Sequence, residues 1–329
     1  MTIKRSMSAK AFFAALLALV LVLGVAACGD DDDNGGGGGG GGGGNKIVSN
    51  PANGKVSITV GSKNFTEEFI LGEIYAQALE AAGYDVSKQL NLGDSNIAIK
   101  ALKDGEIDGY PDYTAQVLEQ FFSLELNQIP KGAQAEYQKA KAEFEKQGLT
   151  AFPPTPFADA NALGTLKSTA QKLGVTTISD LKGKSQDLTL YGSPECEQRL
   201  DCLVGLEDVY GLKFKSFNPV DIGLRYTVLD KGQADLSILF TSDANLSVNK
   251  DKYVLLQDDK HVFPAGNLIF ITTQDAVKKA GPDYGKTIEQ VQSGLTLPVM
   301  QELNARVDID KQEPAAVAKQ YLQEAGYIG

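Results

Sequence analysis

Apolar and polar positions alternate in "KVSITVGS", with Val56, Ile58 and Val60 on one side and a break at Gly61. A period of two predicts a half-buried strand. Over Thr66 to Ala82 the period changes: Phe69, Ile70, Ile74, Ala78 and Leu79 recur at helical spacing, and Asn64 followed by Glu67 predicts a capped helix start. "DVSKQLNLGDS" then predicts a strand, "NIAIKALKDGE" a helix ending near Gly105, "IDGYPDY" a short strand and "TAQVLEQFFS" a further helix. Pro111 cannot donate to a ladder, so it is expected at that strand's end or edge. The second half restarts the scheme, with strand "DLTLYGS" followed by helix "LDCLVGLEDVYG", closed by Gly211.

The restart is also visible residue by residue. Leu102, Gly105, Asp108, Tyr113 and Thr114 fall opposite Leu229, Gly232, Asp235, Phe240 and Thr241, always at one offset of 127 (229 minus 102, 240 minus 113). One local structure is built twice, each copy ending in an aromatic ring. Strands alternating with helices predict α/β lobes with mostly parallel sheets. Such sheets bind ligands outside the carboxyl ends of their strands, where Tyr113 and Phe240 are expected. Facing lobes would bring the two rings together in one cleft. "FPPTPFADANAL" (152–163) and "HVFPAGNLIF" (261–270) are the expected crossings between lobes, and the C-terminal helices are expected to pack back on the first lobe.

The N-terminus lies outside this scheme. "MTIKRSMSAK" is basic, the following run is apolar, and small residues lead into Cys28, the layout of a secretory signal peptide. "VAAC" resembles the lipobox of bacterial lipoproteins, which implies that Cys28 is lipidated after cleavage. The aspartate and glycine run beyond it cannot bury enough apolar surface to offset ordering. The expected divisions are therefore 1–27 signal peptide, 28–54 flexible tether, 55–157 lobe 1, 158–267 lobe 2 and 268–329 return to lobe 1.

Composition narrows the classes. A net charge of −11 argues against a nucleic-acid surface and otherwise indicates solubility. With Cys28 assigned to the lipid, Cys196 and Cys202 remain in "PECEQRLDC". In an oxidising compartment they are expected to form a disulfide that stiffens the loop carrying Arg199. No metal site or cofactor is expected. The chain has one histidine, His261, and no nucleophile elbow, P-loop, HExxH or paired CxxC, which leaves no catalytic set. The turn "GSKNFTEE" puts Lys63 beside a helix start. That suits an anion as well as it suits an ordinary capped helix. Tyr113 and Phe240 read either as core aromatics or as π faces for a cation.

"VGSKNFTEEFILGEI", "ALKDGEIDGYPDYT", "GSPECEQRLDCLVGLEDVYG" and "LNARVDIDKQEPAAVA" resemble the substrate-binding proteins of osmoprotectant ABC transporters, the binders of glycine betaine, choline and carnitine. The similarity runs from about Val56 to Ile328. It implies an α/β, two-lobed periplasmic-binding-protein-like (type II) fold with a ligand cleft between lobes. By resemblance, Lys63 and Arg199 fall on the pair that holds the ligand's carboxylate. Tyr113 falls on a tyrosine of the aromatic cage, Phe240 takes the place of another, and Asp159 matches an aspartate of the site. Asn161 and Gly266, the latter beside Asn267, stand where two further tyrosines are expected. Phe65, Tyr110 or Phe263 could fill in, or the two asparagines could bind a more polar solute.

The expected function is a lipid-anchored extracytoplasmic receptor, monomeric and without enzymatic activity. It captures a small zwitterionic or quaternary-ammonium osmolyte by lobe closure and delivers it to a membrane permease driven by a cytoplasmic ATPase. The alternatives are the same receptor class for another polar solute, such as an amino-acid derivative, and a secreted enzyme on a two-lobed scaffold.

Overall fold

The computed structural model describes residues 45–329. The signal segment, Cys28 and most of the tether lie outside the described residues. The strands of the first half are β1 (Ser57–Gly61), β2 (Asp85–Gln89), β3 (Gly109–Tyr113), β4 (Leu149–Ala151) and β5 (Ala158–Asp159). Those that follow are β6 (Asn161–Leu166), β7 (Thr189–Gly192), β8 (Ser216–Pro219), β9 (Leu236–Phe240), β10 (Tyr253–Leu255) and β11 (Gly266–Thr273).

They form two sheets. The first runs β2-β1-β3-β11-β4 with β5 beside β11, and the second runs β10-β6-β9-β7-β8. The chain leaves the first sheet after β5 and enters the second at β6, which makes Ala160 the crossing residue; it returns between β10 and β11. Each sheet has a parallel half and an antiparallel half. β3 is parallel to β1 and antiparallel to β11, while β9 is parallel to β7 and antiparallel to β6. The expectation of mostly parallel sheets therefore gives way to mixed ones, because the strands that carry the crossings enter against the direction of their neighbours.

The internal echo extends to hydrogen bonds. Gly105 and Gly232 both adopt left-handed backbone, φ 76° and 65°, where glycine carries no Cβ penalty. Asp108 accepts from Thr59 N–H at 2.7 Å, and Asp235 accepts from Thr189 N–H at 2.8 Å. The same turn thus fixes the start of β3 and of β9 and sets Tyr113 and Phe240 at their ends.

Three local expectations change. Pro111 sits inside β3, with β1 on one side and β11 on the other, rather than at an end. This is tolerated because β1 meets β3 only at Val60–Gly109, so Pro111 has no ladder to donate to on that side. The helix Thr66–Ala81 is capped at Phe65 without a side-chain bond from Asn64. Glu68 instead accepts Lys63 N–H at 3.2 Å, and Glu67 is taken up by tertiary partners. Finally, residues assigned to the tether belong to the body. Ile47 is buried and its N–H donates to Tyr327 O at 2.9 Å, and Asn50 caps a short 3-10 turn at Pro51–Lys55.

The helix Thr66–Ala81 is buried nearly all round, with Ile70, Leu71, Ile74, Tyr75 and Leu79 inaccessible. The C-terminal helices Pro282–Gln292, Leu297–Asp308 and Pro314–Glu324 pack on it. Separate apolar cores lie under each sheet, one around Ile99, Tyr110, Phe144 and Ile269, the other around Leu163, Leu190, Leu206 and Leu236.

Candidate functional site

A cavity opens where the carboxyl ends of β3 and β9 face each other. It offers about 50 Å³ to the centre of a water-sized sphere, room for roughly three or four waters. Lys63, Phe65, Ser95, Tyr113 and Gln116 line it from the side of the first sheet, and Asn161, Arg199, Arg225 and Phe240 from the second. Asp159, beside the crossing, closes one end. The Phe65 and Phe240 rings meet across it with centroids 5.2 Å apart. Tyr113 stands edge-on to the buried Phe157 at 6.0 Å.

Every cation here already has a carboxylate. Lys63 Nζ is bonded to Asp112 and lies 3.6 Å from Glu68, with the Tyr113 ring centroid 4.9 Å away. Arg199 forms a two-pronged pair with Asp201, at 2.7 and 2.5 Å. The Arg225 guanidinium lies 3.9 Å over the Phe240 ring and bonds Asp243 at 2.8 Å. Among the charged side chains that line the cavity, Lys63, Arg199 and Arg225 are matched in number by Asp94, Asp159 and Glu195. That balance suits a zwitterion better than an anion, since a net anion would meet nearly as many repulsive as attractive charges.

Burial raises several of the acids around it. Glu67 is pushed up to about 8, with the charge of Asp159 adding and hydrogen bonds from Tyr113 and Asn304 opposing. Glu68 also rises to about 8 through burial, against the pull of Lys63. Glu119 rises to about 7 through burial and the nearby Asp201, and Asp159 to about 6. Tyr113 OH donates to Glu67, so this ring is held from behind by a buried carboxyl group.

Several contacts join the two sides. Leu200 N–H donates to Glu119 at 3.1 Å, and Gln301 donates to Thr241 O at 3.1 Å. Asn304 bridges Glu67, at 2.7 Å, and Ser242 O, at 3.1 Å. Thr241 and Ser242 in turn donate to Asp159 at 2.7 and 2.9 Å.

The model of the substrate-binding domain of ABC-type glycine betaine transport systems matches residues 56–324. The chain belongs to this family. A glycine-betaine-binding protein of Pseudomonas aeruginosa is 33% identical over 282 residues, covering 82% of this chain and 88% of that one. A carnitine transport binding protein, OpuCC of Listeria monocytogenes, is 28% identical over 279 residues, covering 84% and 89%. A crystal structure of a glycine betaine/carnitine/choline ABC transporter protein superposes with a TM-score of 0.66 at 25% identity, covering 82% of this chain and 99% of that one. The protein is therefore the substrate-binding component of an ABC-type transport system rather than an enzyme, with the α/β two-lobed fold of that family.

Within this family member, Lys63, Tyr113, Asp159, Asn161, Arg199 and Phe240 all border the one cavity. Gly266 and Asn267 do not, contrary to the sequence expectation. Asn267 Nδ2 is spent on the carbonyls of Thr155 and Phe157, at 2.9 and 3.1 Å, and so fixes the first crossing. A Cβ at Gly266 would come within 2.7 Å of both Ala115 N and Gln116 Oε1. Asn161 borders the cavity with its amide turned aside, its Nδ2 donating to Asp201 O and Oδ2 at 3.0 and 3.2 Å. Of the three substitute aromatics, Phe65 lines the cavity, Tyr110 is fully buried in the first core, and Phe263 packs on the second. Cys196 and Cys202 form the disulfide, with Cα atoms 5.3 Å apart, and Cys202 reaches the cavity wall.

Sequence reasoning missed Arg225, Gln116 and Gln120. The offset of 127 that located Phe240 places Arg225 opposite Ala98, so the echo carried no sign of it.

Proposed function

We propose that this protein is a lipid-anchored extracytoplasmic receptor. It captures a small trimethylammonium zwitterion of the glycine betaine type by lobe closure and passes it to a membrane permease powered by a cytoplasmic ATPase. The observation that carries the reading is the cavity itself: three aromatic rings, Phe65, Tyr113 and Phe240, beside three cations and three acids in a space of about 50 Å³. A methylated ammonium is weakly hydrated and gains roughly 0.5–2 kcal/mol per ring face. A carboxylate can then take over Arg199 or Lys63 from their internal partners. In the ligand-free state Asp201 and Asp112 act as stand-ins for that carboxylate.

This exchange keeps the arginine paired with a carboxylate in both states, which avoids the larger cost of an uncompensated buried charge. It also sets the lower bound on selectivity. Choline has the ammonium but no carboxylate, so it forgoes at least one charge-assisted bond worth about 1.5–3 kcal/mol. Calorimetric titration should therefore show glycine betaine binding at least about tenfold tighter than choline. Equal affinities would remove the role given to Arg199 and Lys63.

A further inference from the structure

Glu119 is a buried acid that the capture scheme leaves without a task. It stands on the π-turn Val117–Phe121, on the side of the first sheet. Oε1 accepts Leu200 N–H from the disulfide loop at 3.1 Å, while Oε2 is buried with no hydrogen-bond partner among the described residues. Leu200 lies between Arg199 and Asp201, so this bond ties the first side to the loop that aims Arg199. Arg199 lines the cavity and Glu119 does not. Whatever Glu119 does for a ligand, it does through Arg199.

The charges that face Glu119 come from that loop. Burial and then the charge of Asp201 push it up to about 7, against the pull of the Arg199 guanidinium and of Leu200 N–H. On its own turn the neighbouring cation is Lys103, 4.6 Å over the Phe121 ring. Farther round, Glu195 and Lys63 act on Arg199 itself. One guanidinium thus serves two buried carboxyl groups. On the exchange proposed above, a ligand carboxylate takes Arg199 from Asp201. Three carboxyl groups then share one guanidinium, and with so little water among them they cannot all stay ionised. A proton on Glu119 Oε2 breaks no existing bond, because Oε1 keeps Leu200 N–H. Asp201 has both oxygens engaged, by Arg199 and by Asn161 Nδ2.

We infer that Glu119 is a positioning residue of the Arg199 loop that takes up a proton from solvent when a ligand carboxylate displaces Asp201. Capture of the ligand and protonation of the protein are then one event. This rests on the carboxylate exchange proposed above and adds a proton to it. The liganded state binds more protons, so affinity falls as pH rises.

The test is calorimetric titration with glycine betaine in buffers of different ionisation enthalpy, which counts the protons exchanged with the buffer. Near pH 7.5 the wild type should take up about half a proton per ligand, and its affinity should drop about four- to tenfold between about pH 7 and 8.5. Glu119→Gln keeps an acceptor for Leu200 N–H and should lose both the uptake and the drop while still binding. Asp201→Asn removes one of the competing acids and should also reduce the uptake. A role in folding alone would leave the proton count as it is in the wild type. Wild-type binding with no buffer dependence overturns the inference by itself, and so does full uptake in either variant. Binding without uptake sinks only this step, whereas failure to bind glycine betaine at all sinks the exchange and this step together.

Discussion

At the residue scale the most telling group is Glu67. Its carboxyl is buried behind Tyr113, accepts from Tyr113 and Asn304, and has Asp159 nearby, which together with burial holds its pKa near 8. Between pH about 5 and 8 the folded protein therefore keeps a proton that the unfolded chain releases. The native state binds more protons, so stability falls as pH rises through this window. Thermal unfolding of the ligand-free protein should show a midpoint that drops from pH 5 to pH 8, and Glu67→Gln should show a shallower drop. Identical slopes for the two proteins would mean that Glu67 is not held protonated. Arg225 gives a second lesson at this scale. Its guanidinium covers one face of Phe240 at 3.9 Å, so that face of the ring is already taken by a cation.

At the element scale, the loop between β7 and the helix Leu203–Asp208 does most of the positioning. It holds Arg199 and Asp201 inside the Cys196–Cys202 link and sends Leu200 N–H across to Glu119. A cross-link spanning six residues removes on the order of 2 kcal/mol of unfolded-chain entropy in the loop-closure model. Cys196→Ser/Cys202→Ser should lower the denaturant midpoint accordingly and weaken glycine betaine binding, because Arg199 loses its rigid mount. A variant with the lower midpoint but unchanged affinity would show that the link serves folding alone.

Much of this level was legible in the sequence. The β1 to Thr66–Ala81 succession, the paired turns at Gly105 and Gly232, and the strands ending at Tyr113 and Phe240 follow from periodicity and offset. What was not legible depends on contacts distant in sequence. Pro111 can sit in an interior strand because β1 meets β3 only at Val60–Gly109. Glu67 leaves the helix cap for Tyr113 and Asn304. Asn267 and Asn161, read as ligand donors, are consumed by backbone and by Asp201. Polar residues in a cleft declare their type in sequence, but not which way their amides turn.

At the scale of the whole molecule, the helix Leu297–Asp308 ties the two sides together. It rests on the helix Thr66–Ala81, while its Gln301 and Asn304 bond the carbonyls of Thr241 and Ser242 just beyond β9. These bonds contribute about 0.5–1.5 kcal/mol each, small enough for a bound ligand to outweigh in the lobe closure proposed above. Asn304→Ala together with Gln301→Ala should shift the ligand-free protein toward an open form. Small-angle scattering would register this as a larger radius of gyration than the wild type, with compaction restored by saturating glycine betaine. No difference in radius between wild type and variant would show that these bonds do not hold the sides together.

The bond from Ile47 to the carbonyl of Tyr327 has a practical consequence. Among the described residues, the chain enters and leaves the same half, with Ile47 beside Tyr327, and the portion carrying Arg199 and Phe240 is inserted between them. On the lobe closure proposed above, a bead, a surface or a fluorescent protein joined near Ile47 or Tyr327 adds its mass to the half these two residues share and none to the half that carries Arg199.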